Sequence, residues 1–181
     1  TSAVSIRGDT DITDSNDLVV ANDFDGALSA HVLATFPEVP DTVHYSGSVD
    51  SQFTIAEAWF VSAVPDTLAV TRPQVSFYLW TIEEEWDTTA TWTEASSIPT
   101  SRPWQEPGGT RGELLAVATW PHSVESNEGA AKDSLLWEIP PSRLIEFKEN
   151  PPHGLMVTIE NTSARAEISP LALRLSIALS Q

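Results

Sequence analysis

LALRLSIAL, residues 171–179, sets Leu171, Leu173, Leu175, Ile177 and Leu179 against Ala172, Arg174, Ser176 and Ala178. A two-residue period places the large apolar side chains on one side of an extended chain, the mark of a half-buried β-strand. The same period recurs upstream. Val75, Phe77 and Leu79 alternate with Ser76, Tyr78 and Trp80, Leu135, Trp137 and Ile139 with Leu136, Glu138 and Pro140, and Leu155, Val157 and Ile159 with Met156, Thr158 and Glu160. Less regular apolar runs bounded by Gly, Pro, Asp or Ser cover residues 18–21, 32–36, 55–61 and 114–120, and read as further strands.

Helical periodicity is confined to residues 142–148. There Pro140 and Pro141 lead into Ser142 as a prospective N-cap, Leu144, Ile145 and Phe147 form an apolar side, and Asn150-Pro151-Pro152 ends the turn. Many short strands punctuated by 13 prolines and 8 glycines predict an all-β antiparallel sandwich or barrel with one short helix. At 181 residues, without an internal repeat or a low-complexity linker, residues 1–181 read as a single domain.

Nine basic residues against 26 acidic ones give a formal charge of -17. Such a field repels phosphate backbones and anionic lipid, so nucleic acid and membrane surfaces are poor partners; divalent cations, a salty or extracellular medium, or plain solubility suit it. The chain contains no cysteine, which excludes disulfides and thiolate metal sites. No run approaches the roughly 18 apolar residues of a membrane span. A start at Thr1 fits a secreted product whose signal has been removed, or equally a domain cut from a larger protein. Asn161-Thr162-Ser163 is a glycosylation sequon, a triplet that also arises often by chance.

Trp80, Trp86, Trp92 and Trp104 crowd one stretch that is rich in turn formers and charge. Trp59, Trp80 and Trp137 lie in strand-like runs, where an indole most often packs in a core. Trp86, Trp92 and Trp104 lie in turns or loops. There an indole either plugs the end of the sandwich or offers a flat ring over which the C–H face of a sugar can lie, and Trp104 is the one expected to be exposed. Glu84, in the Glu83-Glu84-Glu85 run, could accept hydrogen bonds from sugar hydroxyls, although such a run is usually a solvated face. Arg102 and Arg111 flank Trp104 and could grip the carboxylates or sulfates of an anionic polysaccharide.

Asp9, Asp11 and Asp14, with Asn16 and Asp17, share one loop, and Asp23 and Asp25 share the turn Asn22 to Gly26. Two oxygen-rich turns meeting at one end of a sandwich could hold calcium, which takes 6 to 8 oxygen ligands; the plainer reading is that Asp and Asn make Asx turns. An organic cofactor has no motif here. Catalysis has none either: His31, His44, His122 and His153 are far apart, and no spacing singles out a carboxylate pair. The chain reads as a non-enzyme.

Trp86-Asp87-Thr88-Thr89-Ala90-Thr91-Trp92 and Trp104-Gln105-Glu106-Pro107-Gly108-Gly109 resemble the most characteristic stretch of the DNRLRE domain family, the disaggregatase-related repeat. Val4-Ser5-Ile6-Arg7, then Leu18 to Asp23, is similar to that family's opening strands, and residues 142–148 followed by Gly154-Leu155-Met156-Val157 are similar to its late helix and strand. The chain departs from the family where Pro37, not aspartate, follows Phe36, and where His31 and Thr35 replace basic residues. The resemblance implies a jelly-roll-like sandwich and a non-catalytic part in extracellular polysaccharide recognition. The competing expectation is a secreted structural subunit that binds copies of itself in a fibre or surface layer, residues 1–7 or 171–179 extending a neighbour's sheet.

Overall fold

Alternating apolar and polar side chains pay no penalty only where one face of a strand is covered, and the chain covers them in two layers. The computed structural model describes residues 3–7, 18–45, 48–69, 72, 74–120 and 134–179. Its strands in chain order are β1 (Ala3–Arg7), β2 (Leu18–Phe24), β3 (Leu28–Ala34), β4 (Val43–Tyr45), β5 (Ser48–Asp50), β6 (Phe53–Ala63), β7 (Asp66–Ala69) and β8 (Val75–Ile82). They continue as β9 (Glu94–Ser96), β10 (Arg102–Pro103), β11 (Arg111–Trp120), β12 (Ser134–Glu138), the helix α1 (Pro141–Glu149), β13 (Leu155–Ile159), β14 (Ala164–Ile168) and β15 (Ala172–Leu179).

The large sheet runs β11-β8-β13-β3-β2-β14-β7, with β1 also paired to β3, and the small sheet runs β12-β6-β15. Two ribbons, β4-β5 and β9-β10, stand apart. Pairing among the described strands is antiparallel throughout. The chain crosses between the sheets from β3 toward β6, from β6 to β7, from β11 to β12, from β12 to β13 and from β14 to β15, the interleaving of a jelly-roll-like sandwich. The fold is thus the all-β antiparallel sandwich with one short helix that the periodicity implies.

Between the sheets lies the main core. Val75, Phe77 and Leu79 of β8, Leu155, Val157 and Ile159 of β13, and Ala164, Ala166 and Ile168 of β14 meet Ala58 and Phe60 of β6 and Leu135 and Trp137 of β12. Trp137 is fully buried, and its indole N–H donates to the Phe77 carbonyl at 2.9 Å, so its polar atom is satisfied in the apolar interior.

Several expectations shift. Trp59, expected in the core, is half-buried on the other face of β6, because the inward positions of that strand are Ala58 and Phe60. The strand expected over residues 32–36 runs from Leu28 to Ala34, and Phe36 leaves it to pack edge-on against Phe60 and Phe147. Ser142 is not the cap of α1. Pro140 holds that position without a side-chain cap bond, and the helix begins at Pro141, whose missing N–H would have had no helical partner. Leu144 and Phe147 are buried as expected, but Ile145 is 55% exposed.

Candidate functional site

Residues 83–110 form one long connection between β8 and β11, and it folds back over the outer face of the large sheet. Leu33 and Met156 point outward there, since Val32, Ala34, Leu155 and Val157 point inward; with Ile82, Ala90, Ala95 and Trp104 they form a second, smaller core. Trp80, Trp86 and Trp92 pack partly buried around it.

Polar side chains hold the connection in shape. Asp87 accepts from the Thr89 N–H at 2.7 Å, from the Thr89 hydroxyl, and from the Ser96 hydroxyl at 2.6 Å. These bonds, that of Ser96 foremost, hold the Asp87 carboxyl below the usual carboxylate range. Thr89 Oγ1 in turn accepts from the Ser97 N–H at 2.9 Å, so four short polar residues knot one turn to the next. Glu84 closes the two ends of the loop by accepting from the Gln105 N–H at 3.0 Å and from the Thr110 hydroxyl.

The indoles are tied in the same way. Trp104 N–H donates to the Thr91 carbonyl at 2.9 Å, and Trp86 N–H to the His153 carbonyl at 3.1 Å. Trp92 lies against His31, with ring centroids 4.9 Å apart. Gly108 and Gly109 have φ of 86° and 102°, a conformation that side chains disfavour. A Cβ on Gly108 would stand 2.9 Å from both His31 and Trp92, and one on Gly109 would stand 2.5 Å from Met156. Glycine is therefore required at 108 and 109, by positive φ and by close approach to His31, Trp92 and Met156.

His31 is the buried titratable group of this contact. Its Nδ1–H donates to the Gly108 carbonyl at 2.8 Å. Burial, the largest cause, lowers its pKa to about 4, partly opposed by the Gly108 bond and reinforced by the nearby charge of Arg111. The ring is neutral at physiological pH and acts as a strut under the loop.

This geometry corrects the expectation for Trp104. It is 6% exposed and covers Leu33 and Met156 instead of facing solvent, because the loop around it satisfies its own polar groups and turns its apolar side to the sheet. Trp86 and Trp92 are half-buried in the same cover. Arg102 bonds to Glu85, both through an ion pair at 3.3 Å and at the Glu85 carbonyl, and Glu84 is engaged within the loop. Five of the six expected ligand residues thus serve to fasten or build the cover.

Arg111 belongs to a different surface. Tyr78 and Trp80 occupy successive outward positions of β8, with ring planes within 20° and centroids 6.3 Å apart. Arg111 lies over the Trp80 ring, 5.5 Å from its centroid, and pairs with Glu160. Trp80 N–H donates to the buried Thr158 hydroxyl at 3.0 Å, which fixes the indole on the sheet. Leu114 and Val117 of the edge strand β11 stand opposite Trp80 and Tyr78 in the register, and are 41% and 47% exposed. Paired residues share a sheet face, so these six side chains make one open strip, aromatic along β8 and aliphatic along β11, with an ion pair at one end. Tyr78, Trp80, Glu160, Leu114 and Val117 escape a reading that looks for binding groups in loops. The signal that finds them is the alternation of β8, which sends Phe77 and Leu79 inward and therefore Tyr78 and Trp80 outward.

Asp9, Asp11 and Asp14 lie outside the described residues. Asp23, near the end of β2, and Asp25, in the turn joining β2 to β3, have φ of 44° and 55°, with the Gly26 N–H bonded to the Asp23 carbonyl. Among the described residues no three His, Asp or Glu side chains cluster as a metal site, and no helix is long and apolar enough to cross a membrane. An open groove of about 330 Å³ between Phe36 and α1 is bridged by an ion pair of Lys148 with Asp41. No family model matches the chain, and neither does a curated protein or a solved structure.

Proposed function

We propose that the chain is a non-catalytic polysaccharide-binding module that works outside the cell, and that the strip of Tyr78 and Trp80 is its sugar-stacking surface. The observation that carries this reading is the pair of near-parallel rings held outward on a rigid strand beside hydrogen-bonding groups. Flat rings cover the C–H faces of sugars, and the Thr158 bond removes the rotational freedom that Trp80 would otherwise lose on binding. An open strip suits the side of a polymer better than a small molecule, which needs walls on several sides. The likeness of residues 86–92 and 104–109 to DNRLRE domains supports the same class.

The test is affinity electrophoresis of the whole chain through gels containing a panel of polysaccharides. At least one should retard the chain, and Tyr78→Ala should weaken that retardation about tenfold while the melting midpoint holds, on the scale of stacking losses measured for bases. Retardation that survives Tyr78→Ala unchanged would remove the strip from the site.

Self-assembly is favoured by a separate observation: β15 is an edge of the small sheet, and Ile177 on it is 37% exposed. Residues 3–7 form β1, which pairs with β3 over Ala30 to Ala34 and is off the main order of the large sheet. A monomer in size-exclusion chromatography, with and without calcium, would exclude this second reading.

A further inference from the structure

Resting on that reading of the strip, we infer that its ligand is an uncharged polysaccharide and not a uronate-rich or sulfated one. The argument is electrostatic. A polyanion needs free cations at the surface it occupies, and the cation of the strip is already matched: Arg111 is paired with Glu160 and lies over Trp80. The other ion-paired cations among the described residues lie elsewhere, Arg102 on Glu85, Arg143 on Glu113 and Glu146, Lys148 on Asp41, and Arg165 on Asp66 and Glu167. Arg174 belongs to the small sheet, opposite Trp59, and Arg72 is exposed in the connection between β7 and β8. Around all of these the chain carries a formal charge of -17, which opposes the approach of a polyanion at any distance within the screening length.

The same groups favour a neutral chain. Sugar hydroxyls donate as well as accept, so the Glu160 carboxylate, at 25% side-chain exposure, can accept from one hydroxyl while the N–H groups of Arg111, at 37%, donate to another. A carboxylate or sulfate in that place would meet Glu160 as a like charge. Tyr78 and Trp80 supply the apolar contact that an uncharged sugar ring needs.

The experiment compares neutral glucans, mannans and xylans with a polyuronate and a sulfated glycan, in affinity gels at low and at moderate salt. The wild-type chain should be retarded by a neutral polysaccharide, alike at both salts, and not by either polyanion. Glu160→Gln leaves Arg111 without its partner and should create weak retardation by the polyuronate that fades as salt rises. Stronger retardation of the wild type by a polyanion than by any neutral glycan would overturn the assignment of class while leaving polysaccharide binding intact. Retardation by none of them would overturn the binding reading itself, and the class with it. Because the wild-type comparison alone decides the class, a variant that fails to fold does not blunt the test.

Discussion

Two parts of one sheet face differ in what covers them. Over Leu33 and Met156 lies the 83–110 connection with Trp86, Trp92 and Trp104; farther along, where β8 runs beside β11, Tyr78 and Trp80 stay half-exposed next to Leu114 and Val117. Both parts are rich in aromatic side chains and both are framed by acids. What separates them is how the polar groups are satisfied. The connection bonds Asp87, Thr89, Ser96 and Glu84 to itself, so its indoles are free to serve as its apolar underside. Tyr78 and Trp80 are held instead by the strand, Trp80 also by its bond to Thr158 and by packing at the border of the second core, and both rings stay part-exposed. A tryptophan's role follows from which layer satisfies its neighbours, and loop or strand membership alone does not decide it.

The largest expected effect tests the covered part. Trp104→Ala should cost about 3–5 kcal/mol in denaturant unfolding, the range for removing a buried large aromatic. Tyr78→Ala, on the open part, should cost within about 1 kcal/mol. Equal losses from the two would erase the contrast between cover and strip.

Acid should act on the covered part next. His31 has a folded pKa of about 4 against 6.5 for the unfolded ring, so the unfolded state binds its proton first. Its contribution is complete above pH 6.5 and is lost as pH falls toward 4, amounting to about 3 kcal/mol. Unfolding midpoints measured across that window should therefore decline on acidification, and His31→Gln should flatten the decline; an identical slope in the variant would place the sensitivity elsewhere.

Gly108→Ala should cost about 1–3 kcal/mol from its positive φ and from the approach of His31 and Trp92. If thermal melts of that variant matched the wild type, the loop would not rest on the sheet at this point. The smallest effect belongs to calcium. Bound through the acidic turns, it would add about 1 kcal/mol at five times its dissociation constant. No shift in melting between calcium and chelator would leave Asp23 and Asp25 as turn formers alone.

The strands that alternate large and polar residues, β8, β12, β13 and β15, are legible because each large side chain reports which face is covered. β14 was not, since Ala164 and Ala166 keep the period with side chains too small to stand out between Arg165 and Glu167. Short ribbons such as β9-β10 leave no pattern within two or three residues. The site was half legible. Arg111 belongs to the open strip, but the partner that neutralises it, Glu160, comes from the end of another strand, and such pairings are set by tertiary register. Trp104 misleads because turn formers around an indole imply solvent, when here they bond to one another and leave the ring to the sheet.

The neck of the 83–110 connection is narrow: the Glu83 N–H bonds to the Thr110 carbonyl at 3.2 Å, and beyond it amides such as Trp104 and Gly108 bond to carbonyls of the connection itself, Thr93 and Trp92. Lifting it would part no strand of the large sheet, but it would break the His31–Gly108 and Trp86–His153 bonds that fasten it and uncover Leu33 and Met156. In amide hydrogen exchange, those inner amides should share one opening free energy, well below that of Met156, whose strand is flanked on both sides by β3 and β8. Protonation of His31 would raise the rate of that shared opening, so the exchange of a handful of loop amides would act as a clock for the strut beneath them.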